Sequence, residues 1–496
     1  MSSITERPLL LLGAGVILAV SAFQLWITPS NPPGFHRDEA SISYNAYSIS
    51  RTLRDDDGNL LPLFFRSFGD YKSPLYPYVL ACVFRVTGPS KEVARGVSAV
   101  VVLAAILLLG LLVRRMTGSG ASALVVVLTA GLTPWLFELG RIAIEASTQP
   151  LIVTALLLVL HRTSRLERWR IGEGVAAGVL LGLLTYSYTG SRLLGPLLAL
   201  ALVVFAGRGR WRWLVGAWST FGALLLPLGV YALRHSHAVT ARYQQTTIAR
   251  NGLSGMELAG QAIANWAHDV DPWFWATSGD PAPYIHVGAY CSLFASTVAL
   301  ALAGLVLVVV RHRDDLWWRY VVLATVLVPV PAALTVDRHN AIRLAALPVF
   351  VLVLTVPALV GLATALRQRS WVARAVALAL TLAVAAQFSQ FVHVYRTNGP
   401  GRVVLFDAGV APLLEQPFES GKPIYIDYDD RGAQAEARWH AVAAGLPADR
   451  IVVLPDGGIP PEGSTVFGRF QECDYICTKI SRWDDYWVAR ADGPKP

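Results

Sequence analysis

Residues 97–113 read VSAVVVLAAILLLGLLV, and Arg114 and Arg115 follow this apolar stretch at once. A bilayer core requires about 20 mostly apolar residues for each helical crossing. The chain supplies such stretches repeatedly, and short segments rich in arginine separate them. We therefore predict a polytopic α-helical membrane protein with about eleven transmembrane helices.

The composition agrees with this prediction. Hydrophobic residues make up 54% of the 496 residues and charged residues only 15%, whereas about a quarter of an ordinary soluble domain is charged. The net charge is +8, and its basic surplus lies in short loops between apolar stretches. That placement follows the positive-inside rule rather than the pattern of a nucleic-acid-binding surface. We therefore expect no nucleic-acid partner.

The orientation in the membrane is predicted from the loops between the apolar stretches. These stretches are 8–27, 97–113, 121–137, 150–160, 175–186, 193–206, 214–233, 287–310, 320–336, 344–366 and 372–394. The loops after the even-numbered stretches are rich in arginine, at 114–115, 162–170, 208–212, 311–319 and 367–374. The positive-inside rule places these loops in the cytoplasm. We predict a multi-pass plasma-membrane protein with a cytoplasmic N-terminus.

Two domains are predicted, a transmembrane domain over 1–394 and an extracytoplasmic α/β domain over 395–496. The first contains an outer loop, 28–73, and interfacial helices that continue to about residue 88. In the second, a helix is predicted over 434–444. Short strands are predicted at 402–406, 423–428, 450–454 and 465–470. This alternation is typical of a small α/β domain.

Cys473 and Cys477 lie close together in this C-terminal domain. An extracytoplasmic location permits a disulfide between them. The spacing alone is equally consistent with a disulfide between them and with two free thiols.

Charged side chains collect in the loops predicted to face outward. In the segment Gly34–Ala40, the carboxylates of Asp38 and Glu39 could act as a general base toward a hydroxyl group. Asp and Glu also favour the first turn of any helix. Lys72 could hold a lipid phosphate, or its stem could simply lie along apolar surface while its amine reaches water.

Three further polar segments lie in outward loops, at 141–145, 186–192 and 337–343. Arg141 and Glu145 are four residues apart, a spacing that also suits an ordinary ion pair on a helix. The polar residues of any one segment, taken alone, are more typical of a structural role than of a functional site. Charges beside a bilayer are costly, however, and several groups on one side of the membrane favour a functional site.

The first outer loop carries a resemblance to a known family. An N-terminal helix leads to Asp38-Glu39, and the chain continues through Asp57-Gly58, Gly69-Asp70 and Lys72-Ser73-Pro74-Leu75-Tyr76 to Arg95. This arrangement resembles the bacterial branch of the protein O-mannosyltransferase and lipid A aminoarabinose transferase superfamily of GT-C glycosyltransferases. The resemblance covers about the first 160 residues in motif and the later helices in topology.

This resemblance implies a glycosyltransferase that moves a sugar from a polyprenyl-phosphate donor to an acceptor hydroxyl on the outer face of the membrane, by an inverting displacement. It implies that Asp38, with Glu39 beside it, is catalytic. Lys72 matches the lysine that contacts the donor phosphate, and we assign Arg343 and Arg192 to the same phosphate. The remaining assignments are to substrate binding: Asp70, Tyr71, Arg141, Glu145 and Tyr188.

The chain departs from the aminoarabinose transferases at two places. They carry an arginine shortly after the acidic pair, where this chain has Ala40-Ser41-Ile42, and a glutamate before the lysine, where it has Tyr71. The donor sugar therefore stays open, as does the acceptor, which can be a glycan, a lipid or a protein. The scheme requires no cofactor; a divalent metal is possible, with His36 a weak candidate ligand.

The alternative function is a transporter or flippase of a lipid-linked sugar. Transporters typically carry polar residues at the bilayer midplane and show internal repeats. The apolar stretches of this chain are almost free of charge, and no clear repeat is evident. The glycosyltransferase is therefore the leading prediction.

Overall fold

The computed structural model describes residues 3–26, 30–288, 290–469 and 476–493. The chain forms two compact units. The first consists of Met1–Trp26, Ser98–Arg141 and Glu145–Tyr395. The second consists of Ile27–Val97, Ile142–Ile144 and Arg396–Pro496, and so combines the first predicted outer loop with the C-terminal segment.

Helices make up most of the described structure. In chain order they are α1 (Ser3–Gln24), α2 (Arg37–Thr52), α3 (Leu75–Thr87), α4 (Lys91–Thr117), α5 (Gly120–Leu132), α6 (Pro134–Leu139), α7 (Gln149–Ser164), α8 (Ile171–Thr185), α9 (Ser191–Ala201), α10 (Trp211–Arg234), α11 (Ser236–Thr246), α12 (Gly255–Asp269), α13 (Pro272–Thr277), α14 (Ala295–Arg311), α15 (Leu316–Leu327), α16 (Val330–Ala333), α17 (Leu347–Leu354), α18 (Val356–Arg367), α19 (Trp371–Asn398), α20 (Val410–Glu419) and α21 (Arg431–Ala443). The strands are β1 (Phe65–Arg66), β2 (Tyr71–Lys72), β3 (Ile424–Ile426), β4 (Ile451–Val453), β5 (Thr465–Arg469), β6 (Ile476–Trp483) and β7 (Tyr486–Gly493).

Five helical segments of the described chain are long and apolar enough to cross a membrane. They are Lys91–Thr117, Trp211–Arg234, Leu316–Ala333, Leu347–Arg367 and Trp371–Gly401. Shorter apolar helices accompany them, at Leu11–Gln24, Leu75–Thr87, Gly120–Leu132, Ile171–Thr185, Ser191–Phe205 and Ala295–Arg311. The prediction of a polytopic helical membrane protein is confirmed, whereas the count of eleven crossings is not. The other apolar helices are shorter than the roughly 20 residues that a crossing requires.

Small residues set the helix packing in the first unit. Gly174, Gly178 and Gly182 lie four residues apart along α8 and face α10. A β-carbon at any of them would collide with α10, at the carbonyl oxygens of Trp213 and Ala217 for the first two. This spacing of small residues lets two apolar helices approach closely in a membrane.

The second unit contains a five-stranded sheet with the order β4-β3-β5-β7-β6. The β3 strand pairs in parallel with β4 and β5, whereas β7 pairs antiparallel with β5 and β6. The sheet, α20 and α21 share a buried core that includes Leu414, Ile424, Ala437 and Phe467. The predicted small α/β arrangement is therefore present at the C-terminus.

The strand predicted at 402–406 is wrong, because these residues form turns. Their backbone groups bond locally: Phe406 N donates to Arg402 O at 3.2 Å, and Ala408 N donates to Val403 O at 3.0 Å. A short apolar run cannot by itself be distinguished from other buried structure by its pattern. The other three predicted strands match β3, β4 and β5, and the predicted helix matches α21.

Cys477 lies in β6 and is disulfide-bonded. Cys473 lies outside the described residues. Cys82 and Cys291 are free thiols.

Candidate functional site

The first turn of α2 presents the predicted carboxylates. His36 caps the helix: its Nδ1 accepts a hydrogen bond from Asp38 N, while Glu39 Oε2 accepts one from His36 N, each at 3.1 Å. This reciprocal arrangement is a capping box, which satisfies backbone donors that a helix start leaves open. The acidic pair therefore has a structural reason to stand at this helix start, whatever its chemistry.

Glu39 forms a buried ion pair with Arg95 and so has a structural role. Both of its oxygens accept hydrogen bonds from Arg95, from Nε at 2.9 Å and from Nη2 at 2.8 Å. The backbone N–H of Ala143 also donates to Glu39 Oε1, at 2.8 Å. Glu39 is 2% exposed and Arg95 is 1% exposed. This is the bidentate arginine–carboxylate geometry that forms strong, direction-specific pairs.

Asp38 has different surroundings, although it is the next residue in the helix. Its Oδ1 lies 3.0 Å from Lys72 Nζ, and Lys72 Nζ also lies 3.5 Å from Asp70 Oδ2. A quarter of the Asp38 side chain is exposed, against 5% of Asp70. Asp38 is therefore the carboxylate of this cluster that a substrate can reach.

A short hairpin positions Lys72 and Asp70. Strands β1 and β2 pair antiparallel, with Phe65 opposite Lys72. Ser67 N donates to Asp70 O at 2.9 Å, and Gly69 takes the positive φ of 82° that the turn requires. The Ser67 hydroxyl also contacts the Ser41 hydroxyl on α2, at 3.1 Å. The structure thus brings together the predicted site residues Asp38, Asp70 and Lys72. Tyr71 lies between the last two in the hairpin.

Buried titratable groups of the second unit surround the start of α2, and the sequence prediction missed them. Asp407 Oδ2 accepts a hydrogen bond from Arg37 N at 3.1 Å, and burial raises the pKa of Asp407 to about 6. Burial raises the pKa of Glu436 well above its ordinary value, and the nearby Glu39 adds to this shift. Burial lowers the pKa of His440 to about 4. In the sequence, these buried groups could have been recognised from the placement of Glu436 and His440 four residues apart on the predicted helix.

His36 was the candidate metal ligand. Its Nδ1 is occupied by the helix cap and lies 3.8 Å from Asp38 Oδ2. Within the described residues, no group of three or more His, Cys, Asp or Glu side chains could hold a metal ion.

The first unit has a separate pocket, and three predicted residues line it: Tyr188, Arg192 and Arg343. It contains about 840 Å³ of empty space, part of which is open to solvent. Arg343 donates to Asp337 Oδ2 at 2.7 Å, and Arg192 donates to Val239 O at 2.9 Å. The remaining lining residues are Thr189, Gly190, Leu193, Val239, Arg242, Tyr243, Thr246, Pro331, Leu334 and Thr335. Arg242 is a third guanidinium that no motif in the sequence singled out.

Helix α12 fixes the segment that carries Arg343. Asn265 Nδ2 donates to the carbonyl oxygens of Ala333 and Thr335 at 3.1 and 3.0 Å. His339 N donates to Asp269 Oδ1 at 2.8 Å. Burial raises the pKa of Asp269 to about 6. The segment after α16 is therefore held by two buried side chains of α12.

Arg141 and Glu145 lie in turns and a short 3₁₀ helix rather than on one α-helix. The guanidinium of Arg141 donates to the carbonyl oxygens of Phe23 and Gln24 at 3.1 and 2.5 Å. It also lies over the Phe137 ring, 4.0 Å from the centroid. Arg141 and Glu145 are each 2% exposed. Arg141 thus anchors the end of α1.

A second buried pair escaped the sequence prediction. His286 Nδ1 lies 2.5 Å from Glu138 Oε2, and Val287 N donates to Glu138 Oε1 at 2.9 Å. The two partners are 148 residues apart in the chain, so no local pattern could reveal them. Although burial lowers it, the pKa of His286 is raised overall by the Glu138 carboxylate.

One protein-family model matches part of the chain. The family model for dolichyl-phosphate-mannose-protein mannosyltransferase matches residues 71–232. This span includes Lys72, Tyr188 and Arg192, and Asp38 lies outside it. No curated protein sequence matches the chain.

Solved structures that share the fold include two crystal structures of ArnT from Cupriavidus metallidurans. One, bound to undecaprenyl phosphate, has a TM-score of 0.60 and 14% identity, and the match covers 98% of this chain and 99% of ArnT. The apo structure has the same TM-score and identity, and the match covers 99% and 100%. Identity at this level shows the fold alone.

The chain therefore has an ArnT-like membrane fold, with apolar helices and a small C-terminal sheet. The resemblance inferred from the first outer loop is confirmed.

The roles of Glu39 and Asp38 predict different effects on stability. Glu39→Gln leaves the buried Arg95 charge without its counter-charge, and we expect a loss of about 3–5 kcal/mol in the free energy of unfolding. Asp38→Asn, the matched control one residue away, removes a partly exposed pair and is expected to cost about 1 kcal/mol or less. Thermal denaturation of the purified variants measures both. Equal losses in the two variants would contradict the assignment.

The raised pKa of Asp407 predicts a pH-dependent stability. A carboxyl group with a folded-state pKa above its unfolded value favours folding below about pH 4, and that contribution is lost as the pH rises through about 6. Asp407→Asn removes the titration, and asparagine tolerates the positive φ of 49° at this position. The change in melting temperature between pH 4.5 and 7.5 should therefore be smaller in Asp407→Asn than in wild type. Glu415→Gln, an exposed control on α20, should keep the wild-type pH profile; an unchanged profile in Asp407→Asn would refute the prediction.

Proposed function

We propose that the protein is a membrane glycosyltransferase that transfers a sugar from a polyprenyl-phosphate donor to an acceptor hydroxyl. The observation that supports this most directly is the contact between Asp38 and Lys72, at 3.0 Å, in an ArnT-like fold. A reachable carboxylate beside an ammonium group supplies the two functions that such a transfer needs. One removes a proton from the acceptor, and the other stabilises a departing phosphate.

The proposed reaction is a single displacement. The acceptor hydroxyl gives its proton to a carboxylate oxygen of Asp38, and the acceptor oxygen attacks the anomeric carbon of the donor. The bond between that carbon and the phosphate oxygen breaks, and the lipid phosphate leaves with the electron pair. Attack opposite the leaving group inverts the anomeric centre.

Lys72 offsets the negative charge that develops on the leaving phosphate. Asp70, at 3.5 Å from Lys72 Nζ and 5% exposed, keeps the ammonium group in place while phosphate approaches. Preorganised charges of this kind stabilise a transition state without reorganising during the reaction.

We propose that Asp38 acts as the base without Glu39. Both Glu39 oxygens are engaged by Arg95, and Glu39 also accepts from His36 N and Ala143 N. A carboxylate so occupied has no free position for an acceptor proton. Glu39 instead fixes the first turn of α2, and so the position of Asp38.

We infer that the arginine-lined pocket of the first unit can itself hold a lipid phosphate. Arg192, Arg242 and Arg343 offer charge to a phosphate, while Leu193 and Leu334 offer apolar surface. A pocket that combines apolar lining with a few convergent charges suits an amphiphilic ligand. The ArnT structure bound to undecaprenyl phosphate supports a ligand of this class.

The orientation is also part of the proposal. The arginine-rich loops lie in the cytoplasm by the positive-inside rule, so the site of transfer and the C-terminal domain face outward. The scheme uses no cofactor. The transporter alternative predicts that the lipid-linked sugar crosses the membrane intact, whereas the proposed enzyme consumes it.

The test is transfer by the purified protein in lipid nanodiscs supplied with labelled polyprenyl-phosphate sugars. Asp38→Asn should lower the rate by about 10²–10⁴-fold, the range for loss of a general base. Lys72→Gln should lower it by about 10²–10³-fold through lost charge stabilisation. Activity should persist in EDTA.

Asp314→Asn and Lys422→Gln are matched controls at exposed positions and should transfer like wild type. Full activity in Asp38→Asn and Lys72→Gln would refute the site. Movement of an unconsumed lipid-linked sugar across vesicles would favour the transporter.

A further inference from the structure

A second pocket in the second unit is not used by the proposed mechanism. Three arginines line it, Arg37, Arg431 and Arg469, together with Phe68. It holds about 620 Å³ of empty space, including volume open to solvent. Arg37 directly precedes Asp38 in the chain, and Gly69 directly precedes Asp70, so two lining residues adjoin in sequence the cluster that holds the proposed general base.

The three arginine side chains differ in their hydrogen-bond and ion-pair partners. Arg431 donates to Asp57 Oδ1 at 2.7 Å. Arg469 Nη2 lies 3.7 Å from Asp485 Oδ2, and the guanidinium also lies over the Tyr486 ring, 5.1 Å from its centroid. The side chain of Arg37 is half-buried and makes no hydrogen bond or ion pair with the described part of the chain.

The backbone around Arg37 is nonetheless well held. Arg37 N donates to Asp407 Oδ2 at 3.1 Å, and the residue begins α2. A fixed main chain with an uncommitted guanidinium is the arrangement expected of an anion-binding arginine. Half-burial strengthens its attraction for an anion, because water screens the charge less there.

The acidic residues of the pocket do not cancel this positive charge. Asp430 caps α21: its Oδ1 accepts from Ala433 N at 2.9 Å and its Oδ2 from Arg469 N at 2.7 Å. Both oxygens are therefore turned toward backbone donors. Asp429 is exposed at the rim, where its carboxylate can accept a hydrogen bond from a ligand hydroxyl.

We propose that this pocket binds an acidic sugar residue of a glycan acceptor. A carboxylate or phosphate group of that sugar pairs with Arg37 and Arg469, and the apolar face of the sugar ring packs on Phe68. Arginine's planar fork matches both anions. Phe68 is the only apolar side chain of the described lining, which favours a polar glycan over a lipid chain.

This proposal rests on the proposed function, since an acceptor held here presents a neighbouring hydroxyl to Asp38. Arg37 is then a specificity-determining residue. It selects the acceptor by charge and takes no part in the displacement itself.

The test is equilibrium binding to the full-length protein in nanodiscs, without donor and at low salt. The probes are a glucuronate trisaccharide and a neutral glucose trisaccharide. Wild type should bind the acidic probe at least about tenfold more tightly, which corresponds to about one charge-assisted hydrogen bond. Arg37→Gln should remove that preference and Arg37→Lys should keep part of it. Arg51→Gln, on the exposed far end of α2, should bind like wild type.

Equal binding of the two trisaccharides by wild type would overturn the proposal even if Arg37→Gln failed to fold. So would an acidic preference that survives in folded Arg37→Gln. Competition by inorganic phosphate against the acidic trisaccharide would support the anion site. Competition by phosphatidylglycerol vesicles alone would overturn the glycan assignment in favour of a lipid.

The binding assay separates this proposal from the proposed function. Selective binding of the acidic probe with no consumption of any donor would refute only the glycosyltransferase. Efficient transfer with no charge preference for the acceptor would refute only the pocket assignment.

Discussion

The buried ion pair between Glu39 and Arg95 is the interaction on which the site depends. Arg95 lies near the start of α4 and reaches the first turn of α2, where its Nη1 also donates to Pro32 O at 2.8 Å. Burying two charges is favourable only when geometry and further hydrogen bonds compensate for lost hydration. Here both carboxylate oxygens and three guanidinium nitrogens have partners. The start of α2, and with it Asp38, is thereby fixed.

Two neighbouring carboxylates thus perform different tasks because their surroundings differ. Glu39 points into a dry site filled by arginine, whereas Asp38 points to a partly exposed lysine. Gly34 shows how closely this segment packs: it has a φ of 57°, and a β-carbon there would collide with the backbone of Phe406 and Ala408. The C-terminal segment therefore helps to shape the first loop within the second unit. It also supplies Asp407 and Glu436 beneath it.

The sequence predicts features that depend on local patterns. The apolar stretch 97–113 lies within α4, and the strands β3, β4 and β5 coincide with short runs rich in apolar residues. The helix α20 was missed because Pro412 and Pro417 oppose a helix by propensity. The acidic pair was identified from the sequence, but the different roles of Asp38 and Glu39 were not. The difference between these two roles depends on Arg95, which is 56 residues away in the chain from Glu39. Glu138 and His286 were missed for the same reason, since only the fold brings them together.

The central claim is that Lys72, held by Asp38 and Asp70, receives a lipid phosphate. Native mass spectrometry of the purified protein with equal amounts of a polyprenyl phosphate and the matching polyprenol tests this directly. The account predicts that wild type retains the phosphorylated lipid in preference to the alcohol, and that Lys72→Met weakens this preference while the protein stays folded. Equal retention of both lipids by wild type, or an undiminished preference in Lys72→Met, would contradict it.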